Sequence, residues 1–499
     1  MNVALSDPAL SGLQPLGRPR IARPDPLLSG LVLEIAAYLA ALAVCGILFL
    51  AGGASSIINL LAPMVITLAA GASNIRMVLA DRNALLTPLF SVRLIAMTML
   101  GLGGLFHVVA PAAIRDQMDY LYMTGPDDAA KVYLVWLMGM VLIMMGIAAG
   151  VRLVGRASDQ DQGPSPSDRW GWRPPALAFL IGFSADSALA LAQSFGNAVS
   201  VPAVASAVLT AISMTGLFFL GEQFGRSGAA KLICGFALLA SILLGLVVMN
   251  KSLVMLPALI LMLGHLRARF SIGRLLASAV LVTTLYLAIN PMVFYSRIRD
   301  YRAHSVLGGG SLAERLSYIS DYVDGDRIDA NAQDTTAYSL SRLDYVMPAG
   351  FVIGQYDHGV SNDEIVNSGY MLVPRLLWPG KPITTTAGSA VNFLLGIQST
   401  NQIAVTMFAD IYWNLGFPGL LLMMVAGFCL GIATVVNRRI LQTGDWLMMP
   451  FVFATFRFSL ALDGNFATSM MIPIIMAFGL YWGLRVLRVM LPMRFGGVV

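Results

Sequence analysis

LVLEIAAYLAALAVCGILFLA, residues 31 to 51, carries a single charge, Glu34. A helix rises about 1.5 Å per residue and a hydrocarbon core is about 30 Å thick, so about 20 apolar residues suffice to cross it. This stretch therefore reads as a membrane span. Arg18, Arg20 and Arg23 precede it among several prolines. It is too long for the apolar segment of a cleaved leader, which predicts a start-transfer helix instead.

Working outward, comparable runs lie at 56–73, 94–111, 132–151, 176–195, 202–220, 231–249, 253–267, 275–295, 416–436, 447–463 and 468–488, twelve with the first. Asp186 interrupts one of them, and 253–267 is short enough to require little tilt or a locally thin bilayer. The fold class expected is all-α, a polytopic integral membrane protein of about twelve transmembrane helices. Composition agrees: of 499 residues 57% are hydrophobic and 12% charged, with mean hydropathy +0.74. Soluble domains carry roughly 25% charged residues, so an ordinary soluble enzyme is excluded.

The pI near 9.1 and net charge of +5 invite a nucleic-acid reading, but the cations sort by loop. Alternate loops collect Arg76, Arg82, Arg93, then Arg152, Arg156, Arg169, Arg173, then Arg226, Lys231, then Arg267, Arg269, Arg274, then Arg438, Arg439, and finally Arg485, Arg488, Arg494. The opposite short loops hold mainly Arg115, Lys131 and Lys251. Positive residues are retained on the cytoplasmic side, so both termini are expected there and no nucleic acid is expected as partner. Cys45, Cys234 and Cys429 each sit inside an apolar run, which offers no disulfide framework.

The same alternation puts the one long polar segment outside the cell. The chain divides into 1–295, a body of nine helices; 296–415, a large outer loop with short helices; and 416–499, three further helices. Loops of that length are usually functional. Within it, Pro374-Arg375-Leu376-Leu377-Trp378-Pro379-Gly380-Lys381-Pro382 restrains a guanidinium, an indole and an ammonium between prolines. Arg offers a planar fork to phosphate oxygens, Lys a point charge, and Trp a face for a sugar ring. An interfacial anchor is the plain alternative. Ser341-Arg342-Leu343-Asp344-Tyr345 supplies another arginine, which a local ion pair would equally explain.

Downstream, Asp410, Tyr412, Asn414, Gly416 and Pro418 run into an apolar helix. Asp410 is near the interface, where desolvation raises a carboxylate pKa; a helix cap or an arginine partner is the alternative. Arg457 lies inside an apolar run, where a charge costs on the order of 3 kcal/mol, so a polar cavity or partner is expected. Glu34 and His107 fall near helix ends and read as structural. Gly146 and Gly150 predict close helix packing, and Asp324-Gly325-Asp326 a solvated acidic turn.

The order of these features resembles the Wzy-type oligosaccharide repeat unit polymerases of O-antigen, capsule and exopolysaccharide assembly, specifically over Arg342 to Gly419. The resemblance implies a GT-C-like architecture in the bacterial inner membrane, with the long loop periplasmic. It implies transfer of a glycan from undecaprenyl diphosphate onto a lipid-linked repeat unit, with a chain-length regulator as protein partner; the sequence offers no cluster of metal ligands, so transfer without a metal or cofactor is expected. It assigns catalysis to Arg375, Asp410 and Arg342, and binding of the lipid-linked oligosaccharide to Lys381, Trp378, Arg457, Tyr412 and Asn414. Asp410 would act as base and the cations would stabilise the departing diphosphate. The related O-antigen ligases carry a loop histidine in an HN-type motif, whereas His304 and His358 here precede Ser305 and Gly359. A flippase or transporter predicts shorter outer loops.

Overall fold

The computed structural model describes residues 26–52, 55–155, 171–195, 203–304, 309–325, 343–373, 377–378, 380, 386–396 and 403–490. Among them every regular element is helical. The body comprises α1 (Pro26–Ala51), α2 (Ser55–Ala80), α3 (Pro88–Val109), α4 (Ala112–Tyr122), α5 (Pro126–Val154), α6 (Arg173–Ser194), α7 (Ala203–Gln223), α8 (Gly228–Val247), α9 (Ser252–Ala268) and α10 (Ile272–His304). Short helices follow: α11 (Leu312–Val323), α12 (Val346–Asp357), α13 (Ala387–Leu394) and α14 (Met407–Gly419). The chain closes with α15 (Leu421–Thr443), α16 (Met449–Ser459) and α17 (Ala467–Met490).

Nine of the described helices are long and apolar enough to cross a membrane: α1, α2, α3, α5, α6, α8, α10, α15 and α17. Val208–Gln223 and Ser252–Ala268 are apolar but shorter, and α16 has 11 residues. Every apolar run of the sequence thus contains a helix, and of these α16, with 11 residues, falls well below the length of an unaided span.

Helix α5 is the spine. Gly146 and Gly150 meet Gly427 and Gly431 of α15; a Cβ on Gly146 would lie 2.1 Å from the Met424 carbonyl, and one on Gly427 2.2 Å from that of Ile143. The glycine pair is therefore a packing device, as its spacing predicts.

Two charges depart from expectation. Arg93 belongs to the interior of α3 and not to a flank, because Thr87 accepts from the Phe90 N–H and Pro88 opens the helix there. Its guanidinium, fully buried, pairs with Glu34 of α1 at 2.6 Å, and Tyr38 donates to the same carboxylate at 3.0 Å. Glu34 is thus half of a closed pair between two helices and does not reach toward a helix end.

Side-chain pairs sort the helix ends. At one end, Arg438 pairs with Asp81, Arg267 with Glu222 and Asn83, and Arg488 with Asp445, while Arg439 donates to the Val154 carbonyl. At the other, Ser55 meets Asp127, Lys131 meets Asp357, His107 meets Asp344, and Arg315 of α11 donates to the carbonyls of Ser194 and Val247. Consecutive helices from α6 to α9 therefore run in alternating directions, and the described part of segment 296–415 gathers at the second end, called here the loop end.

Candidate functional site

The site is built around the start of α14. Thr406, fully buried, adopts φ +63°, a conformation that costs a β-branched residue on the order of 1–3 kcal/mol. Three bonds hold it there: the Trp136 indole N–H donates to its Oγ1 at 3.1 Å, its carbonyl accepts from the Asp410 N–H, and the Met407 N–H donates to the Leu462 carbonyl. This turn seats α14 between α5 and the 460–466 connection. The helix breaks at Gly416, φ +66°, where a Cβ would fall 2.7 Å from the Tyr356 hydroxyl. Pro418 follows the break, where the absence of an N–H costs little.

Asp410 faces inward from this helix and is fully buried. Its Oδ2 accepts from the Phe466 N–H at 2.8 Å, at the start of α17, and its Oδ1 accepts from the Asn414 amide at 3.2 Å. Asn414 in turn accepts from the Ile365 N–H at 2.9 Å. Glu364, the neighbour of Ile365, is also buried and accepts from the Asn465 amide at 2.9 Å, while its Oε2 has no close hydrogen bond. Two carboxylates and two carboxamides thus lock three segments: 362–365, α14 and the lead-in to α17. Burial raises the pKa of Asp410 to about 8, and the negative charge of Glu364 adds to the rise against the Phe466 N–H. Burial likewise pushes Glu364 up, partly offset by Asn465. The cap alternative for Asp410 matches this geometry: both oxygens are occupied by protein donors.

Tyr412 points to a different neighbourhood. Its hydroxyl donates to Asp357 Oδ1 at 3.0 Å, and Lys131 pairs with the other oxygen of Asp357 while lying 5.2 Å from the Tyr412 ring centroid. This partly buried group ties α5, α12 and α14 together. Asp410 and Asn414 are therefore joined to each other, and Tyr412 is not joined to them.

Arg457 on α16 is exposed, with Asp186 of α6 as an electrostatic partner, itself accepting from the Thr210 hydroxyl at 3.0 Å. Trp378 is 43% exposed. Arg342, Arg375 and Lys381 lie outside the described residues. Asn250 accepts from the N–H and hydroxyl of Ser252, making the 250–252 element a cap for α9.

A second cluster forms where segment 343–347 crosses α3. Gly103 makes room for it: a Cβ there would sit 2.5 Å from the Leu343 carbonyl. One turn on, His107 Nδ1 lies 2.9 Å from Asp344 Oδ2. Asp344 Oδ1 accepts from the N–H groups of Val346 and Met347, at the start of α12. Asp119 of α4 interacts electrostatically with both His107 and Asp344.

The sequence offered no sign of Glu364, Asn465 or Asp357, gave Lys131 only as an outer-loop cation, and read His107 as structural, with one hydrogen bond sufficing, as its contact with Asp344 allows. Only His107 left a usable local signal, four residues from Gly103 on one face of an apolar helix. Comparison with family models, curated proteins and solved structures gives no match.

Proposed function

We propose that the chain is a membrane glycosyltransferase that polymerises undecaprenyl-diphosphate-linked oligosaccharide repeat units at the outer face of the bacterial inner membrane. The observation that carries this reading is the loop end. An otherwise apolar helical body collects His107, Asp119, Lys131, Asp344, Asp357, Glu364 and Asp410 there, under short helices drawn from one long polar segment. A donor with a lipid tail and a sugar head needs this combination, a lipid-facing body beside a polar, loop-covered end. The basic opposite end agrees with a cytoplasmic siting of that end.

In this reading the lipid tail lies along the body and the diphosphate is at headgroup depth. Arg342, Arg375 and Lys381 neutralise the charge that develops on it, Arg457 extends the cationic path, and Trp378 offers a ring face to a sugar. Asp410 and Asn414 hold α14 and α17 in register, and Tyr412 with Lys131 and Asp357 fixes α14 to α5. A protein that regulates chain length would dock on the loop end.

Deletion of the gene tests the reading. Single repeat units on carrier lipid should accumulate at the outer leaflet while long polymer disappears. Unchanged polymer length overturns it, and repeat units trapped on the cytoplasmic leaflet would indicate a flippase.

A further inference from the structure

Resting on the polymerase reading, we infer that His107 is the general base of the transfer and Asp344 the residue that positions it. Asp344 accepts two backbone N–H groups through Oδ1; as a carboxylate it accepts at Oδ2 too, and the proton of the contact then belongs to His107 Nδ1. The dyad thus selects the tautomer with its proton on Nδ1. The lone pair is then on Nε2, which forms no hydrogen bond to any described residue. The ring is 11% exposed, enclosed but not sealed.

Other described groups at the loop end are committed differently: His304 has Nδ1 3.2 Å from the Asp300 carbonyl and Nε2 3.7 Å from Glu314, so both of its nitrogens are engaged. Asp410 is occupied at both oxygens, Asp357 is divided between Lys131 and Tyr412, and His358 is bound to the Gly354 carbonyl in the open. An imidazole oriented through one nitrogen by a carboxylate and open at the other is the arrangement that accepts a proton from a hydroxyl.

The step balances as follows. The acceptor sugar hydroxyl loses its proton to Nε2 as its oxygen bonds to the anomeric carbon of the donor. The bond from that carbon to the diphosphate oxygen breaks, and its electron pair leaves with undecaprenyl diphosphate. The imidazolium, stabilised by Asp344, then returns the proton to solvent or to the diphosphate. Asp119 is the second carboxylate facing the ring, with Arg115 and Asp116 beyond it. Tyr133, close to Asp344, donates its hydroxyl proton to the Gly104 carbonyl and does not compete for Nε2.

The experiment uses the purified full-length protein in lipid nanodiscs and lipid-linked repeat units extracted from the deletion strain, with glycan elongation followed by mass spectrometry. His107→Gln, which can still donate to Asp344, should keep the wild-type melting temperature and lose about 10²- to 10⁴-fold in rate. The loss should fall on kcat and leave KM for the lipid-linked repeat unit unchanged. Asp344→Asn should lose rate by reversing the tautomer. A folded His107→Gln that elongates at the wild-type rate, or that loses rate through KM alone, overturns the dyad. Wild-type protein that elongates nothing overturns the polymerase reading itself.

Discussion

Asp344 and Asp410 are alike up to their last neighbour. Each stands at the start of a short helix packed near α5, each is buried, and each accepts backbone N–H groups. Asp410 spends its remaining oxygen on the Asn414 amide, whose own oxygen is bound to the Ile365 N–H. The network closes there. Asp344 spends its remaining oxygen on an imidazole, which carries the interaction to a second nitrogen without a described partner. A carboxamide ends a hydrogen-bond chain in structure; an imidazole passes it on to chemistry.

The sharpest way to break the contrast is to exchange the outcomes. Asp344→Ala should abolish elongation while the protein still melts cooperatively, whereas Asp410→Ala should lower the melting temperature and lose activity only together with fold. Calorimetry beside the elongation assay separates the two. Next in size is the closed pair elsewhere in the body. Glu34→Ala strands the buried Arg93 guanidinium and should cost about 3–5 kcal/mol, whereas Glu34→Gln with Arg93→Met removes both charges and should recover most of that loss in denaturant titrations.

The pH dependence sharpens the comparison further. The carboxyl of Asp410 keeps its proton in the folded state up to about pH 8, against an ordinary value of 3.8. The unfolded state therefore loses its proton first, and stability falls as pH rises from about 4 to about 8, then levels. Melting temperatures across this window should show the decline, and Glu364→Gln, which removes the neighbouring charge, should flatten it at the upper end. The smallest effect expected is that of Tyr412→Phe, which deletes one partly buried hydrogen bond and should cost about 1 kcal/mol with little change in rate.

What could be read from sequence follows from how far apart the interacting residues lie. Spans were legible because crossing a bilayer imposes a continuous apolar run. The start of α3 was not, because Arg93 resembles a flanking cation until Glu34, 59 residues earlier, is placed against it. Asp410 and Asn414, four apart on one helix, could be paired on paper. Glu364 with Asn465 and His107 with Asp344 are separated by 101 and 237 residues. Neither pair has a local pattern, since each depends on how loop segments settle on the helix body. The Gly146–Gly150 spacing did forecast a close approach, because small residues one turn apart announce it on a single helix.

In the polymerase reading the loop end, with its histidine and carboxylates, faces the outside of the cell. Single cysteines in a background lacking Cys45, Cys234 and Cys429 test it directly: Phe393→Cys, at an 84% exposed position on α13, and Thr443→Cys, exposed at the opposite end of α15. A membrane-impermeant maleimide applied to intact cells should label the first at once and the second only after the membrane is opened. Labelling of Thr443→Cys in intact cells, with Phe393→Cys protected, would contradict the account.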